Sequence, residues 1–188
     1  MRVIIFLLLI GTLGVGAFTT FSVDAQKERV GDRRMPNPSG TPNEGEQFTF
    51  GTEYPITTPR SLPSSVKDAI LADSDVKELV GANDDPLGWV EGSAIDLDHN
   101  ELTDYIVVGR HGPLLGANVT TFWLFLNKGE TYELVLKTVG LQLDISKKFD
   151  GGLSRVTVAG LTAKTWSEVE YRYRNGRYVA AKTKHGKL

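Results

Sequence analysis

The chain has 188 residues, 40% hydrophobic and 23% charged, with 21 Lys and Arg against 23 Asp and Glu for a net charge of −2. That length suits one domain with extensions, and a near-balanced charge with no basic patch argues against nucleic acid as a partner. There is no cysteine, which excludes disulfides and a cysteine-linked lipid anchor, so the fold must rest on its apolar core or on a bound ion.

Met1-Arg2 gives a short positive start, and Val3 to Phe18 is an uncharged apolar stretch. The more polar run that follows ends in Val23-Asp24-Ala25, with small residues where a signal peptidase reads. This pattern predicts a secretory signal peptide over residues 1–25, cleaved so that the mature chain starts at Gln26. The apolar run is shorter than the roughly 20 residues that span a bilayer. A secreted or periplasmic protein with no stable membrane anchor after cleavage is therefore expected. Residues 26–60 hold Pro36, Pro38, Pro42, Pro55 and Pro59 among Gly, Ser, Asn and charged residues. Such a composition buries too little apolar surface to offset chain entropy, and it predicts a flexible linker. Within it, Phe48-Thr49-Phe50 has the pattern of a short docking strand.

A globular domain is expected over residues 61–184, with a tail at 185–188. Pro63 to Val80 reads as helical, with Ser61 as N-cap and Pro63 in the first turn. Asp73-Ser74-Asp75 divides that run, and Asp73 is placed to cap a second helix. From Trp89 onward the pattern is β. Ala117 to Leu126 alternates with Val119, Thr121, Trp123 and Phe125 on one side and Phe122, Leu124 and Leu126 on the other. Both faces are apolar, which predicts a central strand. Asp150-Gly151-Gly152 and Asn175-Gly176 read as hairpin turns, the latter of type I′. The fold class expected is α+β: an antiparallel β meander of about eight short strands with one or two N-terminal helices packed on it.

The run Ile95 to Val108 carries the sharpest chemical signal. Asp96, Asp98, Asn100 and Asp104 stand at positions 1, 3, 5 and 9 of a short loop, and an apolar strand follows. Alternate residues of a tight loop point inward, so these side chains, with the carbonyl of Leu102, form an oxygen-rich ligand set of the kind calcium takes. Three carboxylates so close together repel one another unless a cation lies between them. Asp96-Leu97-Asp98-His99-Asn100, with Asp104 and the strand Tyr105-Ile106-Val107-Val108, resembles the calcium loop of FG-GAP and VCBS-type repeats. That pattern reads Asp-x-Asp/Asn-x-Asp-Gly-x-x-Asp. The resemblance implies a loop between two strands with a structural calcium ion, and it covers Ile95 to Val108. The chain departs from it at Glu101, which stands where the family has glycine. More loosely, Leu62 to Tyr178 is similar to a small secreted bacterial domain of unknown function that carries one such loop.

Arg110 and His111 lie in the connection Arg110-His111-Gly112-Pro113 and are candidates for binding an anionic ligand. No G-x-S-x-G elbow, H-E-x-x-H helix or P-loop is present. Trp166, Glu168, Glu170 and Arg172 alternate along one strand face, either a sugar-stacking row or a solvated outer surface. Trp89, Trp123 and Trp166 fall on three separate strands, and any of them left exposed marks a binding surface. The function these features predict is a secreted, non-enzymatic binding or structural module whose partner is a cell-wall glycan or an extracytoplasmic protein. The alternative is a small periplasmic enzyme, or an inhibitor of a lysozyme-type enzyme, acting through residues 110–116.

Overall fold

The computed structural model describes residues 41–43 and 47–188. The expected signal peptide and residues 26–40 of the expected linker lie outside them. The described residues hold ten strands and two helices. In chain order these are β1 (Thr41–Asn43), β2 (Gln47–Gly51), α1 (Ser64–Ala72), α2 (Ser74–Leu79), β3 (Val90–Ile95) and β4 (Asp104–Gly109). They are followed by β5 (Thr120–Asn127), β6 (Tyr132–Gly140), β7 (Gln142–Asp150), β8 (Leu153–Leu161), β9 (Thr165–Arg174) and β10 (Arg177–Lys187). Every strand pairing is antiparallel. The fold is α+β, as the sequence predicts.

The meander is split between two sheets, where the sequence predicts one. β3-β4-β5-β6 form a four-stranded sheet and β1-β2-β7-β8-β9-β10 a six-stranded one. The break falls at Gly140. A Cβ there would sit 2.4 Å from a methyl of Val158 and 2.8 Å from the carbonyl of Ala159, so only glycine lets β6 end against the backbone of β8. Leu141 then donates its N–H to Ala159 at 2.8 Å, and the chain continues as β7 of the second sheet. The two sheets face each other across one core, where Ile106, Val108, Phe122, Leu124 and Leu126 meet Phe50, Leu143, Ile145, Val156 and Val158. The Asn175-Gly176 turn has both residues at positive φ, 51° and 85°, as a type I′ hairpin requires.

β4 and β5 are buried on both faces. Their second face, Val107, Trp123 and Phe125, is covered by Val66 and Ile70 of α1 and Val76 of α2. Asp73 separates the helices and caps α2, accepting the N–H of Asp75 at 2.9 Å. Its carboxylate also accepts the indole N–H of Trp123 at 3.0 Å and an N–H of Lys137 at 2.6 Å. Burial acts to raise the Asp73 pKa, but those hydrogen bonds outweigh it and hold the carboxyl below its ordinary value. Ser61 does not cap α1. The helix starts later, with Pro63 in the N-cap position and no side-chain cap.

The folded unit is longer at both ends than residues 61–184. β2 pairs with β7, and Phe50 and Ile56 are core residues, because the expected docking strand at Phe48–Phe50 brings apolar side chains that the composition of its surroundings concealed. At the other end, β10 runs on to Lys187 through the expected tail. Arg110 joins the two sheets. It follows β4, is 9% exposed, and donates from its guanidinium to the carbonyls of Gly51 and Tyr54. Its Nε lies 3.4 Å from Glu91. Burial pulls the Arg110 pKa below its ordinary value, and Glu91 acts against that. Removing this fork leaves the Tyr54 carbonyl without its donor, at about 1–3 kcal/mol, and takes one of two donors from the Gly51 carbonyl, which also accepts the N–H of Tyr54 at 3.2 Å. Arg110→Ala is expected to lower unfolding free energy by about 2 kcal/mol in urea titrations, and Arg110→Lys, which lacks the planar fork, to recover less than half of that. A loss under about 0.5 kcal/mol would show that the sheets do not depend on this tie.

Candidate metal centre

β3 and β4 pair as far as Ile95 and Asp104, and residues 96–103 close the hairpin. Leu97 fixes this loop to the body of the protein. Its side chain is fully buried in the core between the sheets. Its carbonyl accepts the N–H of Ser154 on β8 at 2.7 Å. Its own N–H donates to Oδ2 of Asp104 at 2.7 Å. The other oxygen of Asp104 accepts the N–H of Asn127, the last residue of β5, also at 2.7 Å. Asn127 in turn donates from its amide to the Thr103 carbonyl and the Tyr132 hydroxyl, at 3.1 and 3.2 Å. Asp104 is therefore a fully buried carboxylate to which both sheets are linked: β5 directly, and β8 through Leu97.

Oxygens of Asp96, Asp98 and Asp104 all lie within 4.8 Å of one another. Asp96 accepts the N–H of Glu101 at 3.3 Å through Oδ2, while its Oδ1 is buried with no hydrogen-bond partner. Asn100 stands beside this group. Its amide nitrogen donates to Asp98 at 2.9 Å, and its oxygen accepts the N–H of Leu102 at 2.7 Å. The loop thus brings together three of the expected ligands, with Asn100 and Leu102 joined to each other at its rim. The backbone is left-handed at His99 (φ 55°) and Glu101 (φ 65°). Glu101 adopts the conformation for which glycine is suited, at a cost of about 1–2 kcal/mol.

The electrostatics follow from burial and crowding. Burial is the largest influence on Asp104 and pushes its pKa up to about 7, with Asp98 and Asp96 adding to the rise and the N–H groups of Asn127 and Leu97 opposing it. Burial, aided by the charge of Asp96, also raises Asp98, against a backbone hydrogen bond from Asn100. Tyr132 is pushed up to about 12, first by burial and then by Tyr105 and Asp104. In each of these groups the negative form is disfavoured, which is the condition a cation among the carboxylates relieves.

Arg110 and His111 are not brought together as a binding pair. Arg110 is turned inward onto Gly51 and Tyr54, whereas His111 is exposed. The connection they open is anchored by Leu114, 5% exposed, and by the hydroxyl of Thr120, which donates to the carbonyl of Gly109. A separate open cleft of about 440 Å³ lies between β6 and the β9–β10 turn, lined by Glu133, Leu134, Arg174, Asn175, Arg177 and Val179 among others. Its residues come from distant parts of the sequence with no shared motif, and none is an aspartate of the loop. No known protein family, curated protein or solved structure matches the chain. Among the described residues, no helix is long and apolar enough to cross a membrane.

A carboxyl whose folded pKa is raised contributes stability that is fully present below its unfolded value, near 3.8, and lost as pH rises through its folded value, about 7. Asp73, held below its ordinary value, acts with the opposite sign and at lower pH. In chelator, the unfolding midpoint is therefore expected to fall from pH 5 to pH 8, and Asp104→Asn to flatten that slope. A midpoint that rises over the same range would contradict the burial of an ionisable Asp104.

Proposed function

We propose that the chain is a secreted binding or structural module whose acidic loop holds a structural calcium ion. The observation that carries this reading is the Asp96 carboxylate oxygen, buried without a hydrogen-bond partner beside the fully buried carboxylate of Asp104. Buried polar atoms are rarely left unpaired, and a buried charge calls for a counter-charge. Calcium bonds to oxygen at about 2.3–2.6 Å, so oxygens on opposite sides of the ion stand roughly 5 Å apart. The spacing of the three aspartates suits that span. Their oxygens would form the inner part of the shell, and Asn100 would contribute once its amide oxygen turned inward. Calcium chemistry here is charge neutralisation. Export is supported by the signal-peptide pattern of residues 1–25. The reading as an enzyme or enzyme inhibitor draws no support from residues 110–116, since Arg110 is engaged inside the fold.

The test is thermal unfolding of the mature chain in calcium and in chelator. At a calcium concentration 100-fold above Kd, linkage stabilises the fold by about 2.7 kcal/mol, a rise of several degrees in midpoint. Asp98→Ala is expected to abolish the rise, leaving the midpoint in chelator within a few degrees of wild type. Glu101→Gly is expected to stabilise the loop by about 0.5–1 kcal/mol and to move half-saturation to lower calcium. No calcium-dependent change in wild type, or an equal loss for Asp98→Ala in chelator and in calcium, would contradict the reading.

A further inference from the structure

The six-stranded sheet turns one face to the core and the other outward. Val169, Tyr171 and Tyr173 of β9 alternate with Glu168, Glu170 and Arg172, and the two tyrosines pack on the core. The outward residues form rows across three strands. At the far end, Leu161 of β8, Trp166 of β9 and Gly186 of β10 stand side by side. The next row is Ala159, Glu168 and Lys184, and the third is Thr157, Glu170 and Lys182. Rows along a strand repeat every ~6.8 Å.

Trp166 lies over Gly186. A Cβ at 186 would fall 2.5, 2.8 and 3.1 Å from Nε1, Cε2 and Cζ2 of the indole, so any other residue would displace the ring. The indole rests on the backbone of β10, and Trp166 is 37% exposed. It is the most exposed of the three tryptophans, since Trp123 is buried and Trp89 half-buried. Beside it, Glu168 is paired with Lys184, and Glu170 with Arg172 at 2.9 Å.

We infer that this outer face binds a neutral oligosaccharide chain, with a pyranose ring stacked on Trp166. The inference rests on the proposal of a secreted binding module. The C–H groups on one side of a sugar ring carry slight positive charge and match the negative face of the indole. Hydroxyls both donate and accept, so they suit a surface where carboxylates and ammonium groups alternate and stay hydrated. The same rows disfavour other partners. Protein interfaces are depleted of Glu and Lys at their centres, and Trp166 with Leu161 alone makes a small apolar patch. A nucleic-acid strand needs a cationic groove lined with several stacking aromatics, whereas here Lys184 and Arg172 are already paired with Glu168 and Glu170 and Trp166 is the only aromatic in these rows. Ala159 and Thr157, small side chains on β8, keep the surface low beside the charged pairs.

The test is an NMR titration of the mature chain with chitohexaose, cellohexaose and maltohexaose. The indole N–H resonances are the readout, with that of Trp166 assigned by its loss in Trp166→Ala. With at least one hexasaccharide, the Trp166 resonance is expected to shift more than those of Trp89 and Trp123. Trp166→Ala is expected to weaken binding at least ten-fold, and Gly186→Ala to weaken it by displacing the ring. The calcium-dependent rise in unfolding midpoint, measured on the same variants, is expected to persist. No shift with any hexasaccharide at 10 mM, or binding that survives Trp166→Ala, would overturn the inference. A preserved calcium effect in that case would leave the module reading standing.

Discussion

The carboxylate of Asp104, removed from water between two backbone N–H groups, is the constraint around which one end of the sandwich is organised. A lone buried charge is among the most unfavourable things a fold can contain. Here it accepts from Leu97 and from Asn127, and Leu97 accepts from Ser154 on the opposite sheet. One side chain thus sets where β3 and β5 end and β4 begins relative to β8. The loop aspartates sharpen the problem, since Asp96 and Asp98 raise the energy of the charged form further. A divalent cation, as proposed for this loop, would change the sign of that local field and relieve the strain of the crowded carboxylates.

A second tie, at Arg110, solves the opposite problem with the opposite charge. Its guanidinium reaches the carbonyls of Gly51 and Tyr54 and keeps Glu91 as a counter-ion. Asp104 and Arg110 bracket β4, the strand of Ile106, Val107 and Val108, all fully buried. The apolar strand supplies the driving force of burial, and the ions at its two ends fix its register against the second sheet.

Much of this was legible in the sequence because it is local. Alternation over Ala117–Leu126 marked a strand buried on both faces, which forms over Thr120–Asn127, the Asn175-Gly176 pair marked a turn, and Asp73 marked a helix cap. The division into two sheets was not legible, since it hangs on Gly140 meeting Val158 and Ala159 across the fold. Phe48–Phe50 was legible as a docking strand, but the membership of Ile56 in the core was not, because proline-rich composition averages away a single well-placed apolar side chain. For the candidate site, spacing identified Asp96, Asp98 and Asp104 as neighbours. It did not reveal that Asp104 is a buried clamp while Asp98 remains near the surface, a difference made by Leu97, Asn127 and Ser154. Arg110 shows the converse. An arginine in a polar connection reads as a surface cation, and only the return of β2 from far earlier in the chain turns it inward.

A cation in the acidic loop, as proposed, would hold the two sheets together through Asp104. Amide hydrogen exchange at residue resolution tests it most directly, comparing calcium with chelator at constant pH. Calcium is expected to increase protection at the amides of Leu97 and Asn127, which bond Asp104, and at Ser154, which bonds Leu97, well above the change on the far strands of the six-stranded sheet. Equal protection at these three amides in both conditions would contradict it.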